Sequence, residues 1–252
     1  MTDARIAMRD VHLHYAATAY AERSLKALLA RGFLRGDRAR VPVHDVHALR
    51  GINLEVGAGE RVGLIGHNGA GKSSLLRVIA GLYPISSGEL DVCGEPRGLF
   101  ELGLGFEPDA TGRENILYRG LLLGQRPSTM RALEPGIIEF AELGEFIDYP
   151  IKTYSAGMMV RLAFAISTAV GGHILLIDEV IGAGDLAFMR KAKQRLASLV
   201  DHSEILILAS HDLGALRNLC HRGIVLHHGE LVFDGSVGDA IHQYLKLSQA
   251  TK

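Results

Sequence analysis

The sequence has little of what would assign it to a specialised class of protein. Its 252 residues include only two cysteines, Cys93 and Cys220, in no CxxC or metal-ligand spacing. This excludes a disulfide framework and indicates an intracellular, reducing compartment. No stretch approaches the roughly 18 consecutive apolar residues of a membrane-spanning helix, and the N-terminus lacks the apolar run of a secretory signal.

Charge of one sign is also missing. The 27 Lys and Arg residues are balanced by 28 Asp and Glu residues, which leaves a net charge of −1. No broad attraction to nucleic acid is therefore expected. Hydrophobic residues make up 48% of the chain, which is enough for a globular protein of one or two domains to bury a full core.

Four short, nearly continuous hydrophobic runs predict strands that are buried on both faces. They are RVGLI at Arg61–Ile65, HILLI at His173–Ile177, EILILA at Glu204–Ala209 and GIVL at Gly223–Leu226. Strands of this kind that alternate with helices predict an α/β fold with a mostly parallel sheet.

Between residues 111 and 170 the hydrophobic pattern changes to the helical period. Phe140, Leu143 and Ile147, for example, fall at i, i+3 and i+7, as on one face of a helix. Turns are predicted at Pro127, Pro135–Gly136 and Pro150. The pattern indicates a helical insert within the α/β core.

The segment Tyr20–Arg40 has the pattern of a basic amphipathic helix. Six basic residues meet two acidic ones within Glu22–Arg40. The apolar stripe consists of Leu25, Leu28, Leu29 and Phe33. Such a helix suits a membrane interface or a partner groove, and it equally suits a surface helix packed on its own core.

A phosphate-binding loop is predicted at Gly66–Ser74, GHNGAGKSS, which matches the GxxxxGK[ST] pattern between a predicted strand and an apolar-periodic run. Glycines let successive backbone N–H groups turn inward around phosphates, and the following helix N-terminus favours negative charge. Lys72 would reach the β- and γ-phosphate oxygens, and the Ser73 hydroxyl would bind Mg²⁺.

Two carboxylates, Asp178 and Glu179, end the strand HILLI. Asp178 is placed to hold Mg²⁺, which prefers oxygen ligands. Glu179 is placed to polarise a water molecule toward the γ-phosphate. The alternative is that the two carboxylates cap a following helix.

The segment before this strand, Tyr154–Ser167, begins with YSAGM. This segment lies between the phosphate loop and the carboxylate pair. By its residues and its position it resembles the signature loop of the nucleotide-binding subunits of ABC transporters. The resemblance implies that two chains enclose two ATP molecules head to tail. It also implies that Ser155, Ala156, Gly157 and Met158 bind the γ-phosphate held by the opposite subunit.

Further segments resemble the same family in chain order. IGAGD at Ile181–Asp185 corresponds to the D-loop, and His211 in LASHD corresponds to the histidine that contacts the γ-phosphate. Tyr15 resembles the aromatic residue that stacks on adenine, although a lone aromatic is equally compatible with a core position. The other histidine pairs, His12/His14 and His227–His228, are interpreted as surface or strand-edge residues, since metal-ligand spacing is absent.

Departures from the common family pattern narrow the resemblance. Ala156 and Met158 differ from the usual signature, and the glutamine expected in the Q-loop is missing. Glu101, in LFELGLGFE, is the predicted substitute as an indirect metal contact. The chain also contains TGREN at Thr111–Asn115 and GSVGDAIHQYL near the C-terminus. With these segments and departures its sequence resembles the ATPase subunits that export lipid-linked polysaccharides such as O-antigen, capsule or teichoic acid.

The resemblance implies an ATP-hydrolysing subunit that uses ATP and Mg²⁺. Implied partners are a second copy of the chain, separate transmembrane permease subunits and a lipid-linked glycan as cargo, with no nucleic acid. The implied location is the cytoplasmic face of the inner membrane, peripherally bound. Other cargo (a lipid or a drug), a soluble ABC ATPase acting on nucleic acid and a kinase are the alternatives.

The expected layout is one ABC ATP-binding domain over residues 1–252, an α/β fold in which the resemblance implies a P-loop core with a mostly parallel sheet, antiparallel N-terminal strands and a helical subdomain. Its core is expected at about 1–100 and 171–252, the helical subdomain at about 101–170 and the basic insert at about 20–40. Catalysis is assigned to Glu179 and His211, and metal binding to Ser73, Asp178 and Glu101. The predicted nucleotide contacts are Tyr15, Gly66, His67, Asn68, Gly69, Ala70, Gly71, Lys72, Ser73, Ser74, Ser155, Ala156, Gly157, Met158 and Asp185.

Overall fold

The computed structural model describes residues 3–18, 43–100, 105–178 and 186–250. Two β-sheets and several helices make up this part of the chain. Within these residues no helix is long and apolar enough to cross a bilayer.

The smaller sheet is antiparallel and has three strands in the order β2–β1–β4. Its strands are β1 (Arg5–Thr18), β2 (Val43–Gly57) and β4 (Ser87–Cys93). β1 runs antiparallel to both neighbours, and its register shifts near Asp10, where the backbone takes a positive φ of 49°. The predicted antiparallel N-terminal strands are confirmed.

The larger sheet has six strands in the order β5–β6–β7–β3–β8–β9. They are β3 (Arg61–Ile65), β5 (Pro96–Leu99), β6 (Ile174–Asp178), β7 (Ile205–Ala209), β8 (Arg222–His227) and β9 (Glu230–Ser236). All neighbours are parallel except β8 and β9. The four strands expected from hydrophobic runs are confirmed to within one residue, and so is the mostly parallel sheet.

The helices follow strands or connect to one another. They are α1 (Lys72–Ile79), α2 (Gly112–Leu122), α3 (Pro127–Ala141), α4 (Ala156–Ala169), α5 (Leu186–His202), α6 (Leu213–Leu219) and α7 (Val237–Ala250). Two short 3₁₀ helices, Gly144–Asp148 and Ile151–Thr153, precede α4.

Apolar side chains form three clusters. One lies between the two sheets and includes the fully buried Leu75 and Leu76 of α1. A second covers the opposite face of the parallel sheet, where β strands meet α5, α6 and α7. The third lies among α2, α3, α4 and α5 and includes the fully buried Phe164 and Phe188. Burial on both faces explains why the parallel strands are continuously hydrophobic.

The predicted helical insert is found, but two details of it were wrong. Pro135–Gly136 was expected to be a turn, whereas both residues lie inside α3, on its exposed side, where water can satisfy the carbonyl that proline leaves unpaired. Phe140, Leu143 and Ile147 are buried as expected, yet they do not share a helix. α3 ends at Ala141, because Glu142 takes a left-handed φ of 53°.

Candidate functional site

A cleft of about 820 Å³ lies at the carboxyl edge of the parallel sheet. The phosphate loop follows β3, Asp178 ends β6, and His211 lies two residues after β7. These three strands pair side by side, with Asp178 directly beside Ala209 in the register. Parallel strands end at the same edge of the sheet, so residues far apart in the sequence share one cleft.

The phosphate loop has the backbone conformation that its glycines allow. Gly69 and Gly71 have φ values of 81° and 108°, in the left-handed region that other residues avoid. A Cβ atom on Gly71 would lie 2.8 Å from the carbonyl oxygen of Ala48. Gly71 also starts α1, and no side chain among the described residues caps that start. The backbone N–H groups of the first turn are therefore available to an anion.

Lys72 is almost completely buried, with 8% of its surface exposed. Its ammonium donates to the carbonyl oxygens of Gly66, at 2.7 Å, and His67, at 3.1 Å. Gly66 is itself tightly placed, since a Cβ atom there would lie 2.6 Å from the carbonyl oxygen of Leu226. The loop is thus held around a positive charge that borders the cleft.

Other residues of the loop take different positions. Asn68, Gly69, Ser73 and Ser74 line the cleft. Ala70 is fully buried and accepts a hydrogen bond from the Gly229 N–H at 2.9 Å. The side chain of His67 lines a second cavity instead, described below.

Oxygen atoms suited to Mg²⁺ are present in the cleft. The Ser73 hydroxyl and the Asp178 carboxylate both line it, and hydroxyl and carboxylate oxygens are the ligands that this ion prefers. The described residues therefore fit a magnesium ion beside the phosphates.

The same cleft is lined by the predicted aromatic residue. Tyr15 lines it with 41% of its surface exposed, and its ring meets Tyr83 edge to face at a centroid distance of 6.3 Å. This exposure differs from that of a core tyrosine and leaves ring surface that a base could cover. His211 lines the same cleft beside Asp212, whose carboxylate caps α6 by accepting from the Gly214 N–H at 2.8 Å.

The signature residues lie elsewhere on the chain. Ser155, Gly157 and Met158 line a separate surface cleft of about 640 Å³. Ser155 starts α4, and its hydroxyl accepts from the Met158 N–H at 3.3 Å. Ala156 is exposed in the first turn. The geometry therefore separates the predicted nucleotide contacts into two groups on one chain.

Several residues of the cleft were not anticipated. Asp45, His47 and Arg50 come from β2, Arg77 comes from α1, and His228 with Gly229 comes from the turn between β8 and β9. Burial and the neighbouring rings of His14 and His12, together with Arg50, lower the pKa of His47. No sequence motif identifies these residues. Those of β2 reach the phosphate loop through the pairing of the antiparallel sheet, and His228 with Gly229 reach it through the pairing of β8 beside β3.

Four predictions lie outside the described residues. Glu101, Glu179, Asp185 and the segment Tyr20–Arg40 belong to this group. Their assigned roles stay predictions.

The comparisons with known proteins agree with this geometry. Residues 49–182 match the ABC transporter family. The chain is 43% identical, over 91% of its length and 96% of the relative, to the O-antigen export system ATP-binding protein RfbE of Yersinia enterocolitica. It is 38% identical to the teichoic acids export ATP-binding protein TagH of Enterococcus faecalis, over 78% of this chain and 44% of that one.

A solved structure shows the same fold. It is a dimeric ATP-binding cassette in a post-hydrolysis state bound to ADP and Pi, with a TM-score of 0.65 and 21% identity. The match covers 92% of this chain and 98% of that one. The resemblance drawn from the motifs is thereby confirmed, and this chain belongs to the ABC transporter family.

Proposed function

We propose that this chain is the ATP-binding and ATP-hydrolysing subunit of an ABC transporter that exports a lipid-linked polysaccharide. The observation that carries the proposal is the single cleft that the phosphate loop shares with Asp178, His211 and Tyr15. The relatives named above, which are export-system ATP-binding proteins, support it.

ATP binding is assigned to the phosphate loop and the residues around it. Backbone N–H groups of the phosphate loop and of the start of α1 surround the phosphates, and Lys72 contributes the positive charge. The buried position of Lys72 supports this role, because a lysine with water excluded interacts strongly with a nearby anion. Tyr15 covers one face of the adenine.

Hydrolysis is assigned to the edge formed by β6 and β7. Ser73 and Asp178 hold Mg²⁺, with Glu101 as an indirect contact. When bound, this ion neutralises charge on the phosphate oxygens. Glu179 accepts a proton from the attacking water, and His211 donates a hydrogen bond to the γ-phosphate.

A second copy of the chain completes each site. Ser155, Ala156, Gly157 and Met158, at the start of α4, bind the γ-phosphate held by the opposite subunit, and Asp185 is a further nucleotide contact. The separation of these residues from the phosphate loop supports this arrangement, since the two groups line different clefts of one chain. Closure on ATP and reopening after hydrolysis then drive the membrane subunits.

The membrane partners and the cargo follow from the proposed subgroup. Separate permease subunits carry the glycan, and this chain binds them peripherally at the cytoplasmic face of the inner membrane. The basic helix predicted at Tyr20–Arg40 would meet anionic phosphates of the lipid headgroups or of the lipid-linked cargo.

Depletion of the protein in its own cells tests the export assignment. We expect lipid-linked glycan to accumulate on the inner face of the membrane while the surface polysaccharide is lost. A plasmid copy of the parent chain should restore export, whereas the Lys72→Ala copy should not. An unchanged surface glycan in a strain without a duplicate exporter would assign the ATPase to another cargo.

A further inference from the structure

Three histidine side chains converge beside the phosphate loop. His67 belongs to the loop, and His227 and His228 end β8 and begin the turn to β9. Their ring centroids lie 5.1 Å (His67–His227), 4.8 Å (His67–His228) and 4.3 Å (His227–His228) apart. One ring nitrogen from each lies within 4.8 Å of the other two. The sequence alone does not predict this cluster, because His67 is about 160 residues from His227 and His228 along the chain.

The hydrogen bond of His67 defines which of its nitrogens can bind a ligand. Its Nδ1 lies 2.7 Å from the carbonyl oxygen of Asn68. A carbonyl oxygen only accepts, so Nδ1 carries the proton and Nε2 of the neutral ring carries the lone pair. This Nε2 is buried and has no hydrogen-bond partner among the described residues. A ring that donates one N–H to a carbonyl and presents the other nitrogen is the usual form of a metal-binding histidine.

A cavity of about 180 Å³ adjoins the three rings. Its other walls include Tyr244 and Leu247 of α7. The volume is sufficient for an ion and a bound water, because one water occupies about 30 Å³ in the liquid. Tetrahedral zinc with bonds of about 2.0–2.1 Å requires nitrogens about 3.4 Å apart. The exposed side chain of His228 would need to move inward to reach this spacing, since the three nitrogens now lie within 4.8 Å of one another.

The backbone around the rings is held in place. His228 takes a positive φ of 48° and Gly229 one of 84°. The Gly229 N–H donates to Ala70 at 2.9 Å, and its carbonyl accepts from the Arg50 N–H at 2.8 Å. Positive φ is uncommon for residues other than glycine, although histidine adopts it more often than most. The hydrogen bonds keep the turn against the phosphate loop.

We propose that His67, through Nε2, together with His227 and His228 forms a binding site for a transition-metal ion of the zinc type. Water completes the tetrahedral coordination. Neutral imidazoles suit zinc, whereas Mg²⁺ prefers oxygen ligands. The site is therefore chemically distinct from the magnesium ligands of the cleft. A bound ion links the phosphate loop to the β8–β9 turn and so fixes one wall of the cleft.

A second group of histidines serves as the internal comparison. His12, His14 and His47 also lie within 4.8 Å of one another. Their nitrogens are engaged, however: His12 Nδ1 lies 3.0 Å from His47 Nε2, and His14 Nδ1 lies 3.0 Å from an Asp45 carboxylate oxygen. The rings of His14 and His47 stack at 3.8 Å rather than pointing at a common centre.

Zinc binding by the full-length chain without an affinity tag tests the proposal. The chain competes with a chromogenic zinc chelator, and bound zinc is counted by mass spectrometry. We expect one zinc per chain at the high-affinity site. His227→Gln and His228→Asn should each weaken binding by more than about tenfold. X-ray absorption of the parent complex should show three imidazole nitrogens.

The control is His12→Gln, which should leave the affinity of this site unchanged. His228→Asn preserves a residue that tolerates positive φ, so it carries the test if His227→Gln fails to fold, as judged by circular dichroism without metal. Parent-like zinc affinity in the folded variants would overturn the proposal. Binding that is lost in His12→Gln but retained in His227→Gln would assign the ion to the other cluster and overturn it too.

Discussion

The starts of α1 and α2 satisfy their backbone donors in opposite ways. At α2, the Thr111 hydroxyl accepts from the Glu114 N–H at 3.1 Å, and the Glu114 carboxylate accepts from the Thr111 N–H at 2.8 Å. This is a complete capping box. At α1, the residue before the helix is Gly71, and no side chain of the described residues caps it.

The difference distinguishes a structural helix start from one that is available to a ligand. In any helix the first backbone N–H groups lack hydrogen-bond partners inside the helix. At α2 the side chains of Thr111 and Glu114 accept from such N–H groups, so no ligand is needed. α1 leaves its donors beside Lys72 in a cleft, where an anion can satisfy them. Variants at the two positions should therefore change different properties of the protein.

The largest effect is expected for Glu179→Gln. The amide keeps the size of the side chain but cannot accept a proton from water. We expect turnover to fall by about 10²–10⁴-fold while ATP affinity is retained, as measured by phosphate release and by calorimetry. The same change at the α2 start, Glu114→Gln, should leave turnover unaltered. Hydrolysis by Glu179→Gln at the parent rate would refute the assignment of the base.

The next effect concerns binding itself. Lys72→Ala removes an ammonium that bridges two loop carbonyls and that we propose interacts with the phosphates. We expect ATP affinity to fall by about 100-fold, the scale of one or two charge-assisted hydrogen bonds. The matched control is Lys152→Ala, which removes an exposed lysine paired with Asp109. Equal losses of ATP affinity in Lys72→Ala and Lys152→Ala would contradict the role assigned to Lys72.

Gly71→Ala tests the backbone of the uncapped start. The new methyl group would meet the Ala48 carbonyl at 2.8 Å, at a φ of 108°. We expect the free energy of unfolding to fall by about 1–3 kcal/mol, as for other residues in sparsely populated conformations.

Gly124→Ala is the control for this variant. Gly124 also has a positive φ, of 75°, but its Cβ would meet no atom of the described residues within 4 Å. Its cost should be smaller, about 1 kcal/mol. Denaturant titration measures both variants, and an equal loss would show that the close approach to Ala48 is unimportant.

The smallest effect is expected for Thr111→Ala. Loss of the cap should destabilise the protein by about 1 kcal/mol without changing ATP affinity. Hydrogen bonds from the Thr111 backbone and hydroxyl lower the pKa of Glu114 below its usual 4.5. That part of the stability is present above pH 4.5 and is lost as the pH falls through the lowered pKa. The difference between parent and variant in urea should therefore shrink in acid.

The strands could be predicted from the sequence more accurately than the helix ends, for a physical reason. Buried parallel strands are uniformly hydrophobic, so Arg61–Ile65 and its neighbours could be identified to within one residue. The end of α3 could not be predicted in this way. The helical spacing of apolar residues continues through Leu143 and Ile147, whereas the helix ends at Ala141 because Glu142 takes a left-handed conformation. Pro135 was misleading for a related reason, since a solvated helix face tolerates proline.

The residues of the cleft also include some that the sequence predicts and some that it does not. Local motifs identified Lys72, Asp178 and His211, which share the cleft. The contributions of β2 and of the β8–β9 turn depend on strand pairing and have no local pattern. His227 and His228 were interpreted as surface or strand-edge residues, and they lie at the end of β8 and at an exposed position after it. Their approach to His67 could not be predicted, because His67 is distant in the chain.

The strand order also determines when the protein can begin to work during its synthesis. Val62 of β3 pairs with Ile207 on one side and with Arg222 on the other, and both partners are translated long after the phosphate loop. A ribosome releases the chain from its N-terminus, so the loop emerges early without the walls of its cleft. Contacts between such distant residues form slowly. The cleft therefore cannot be complete before β8 has been translated, and until then the early hydrophobic strands lack their neighbours in the sheet.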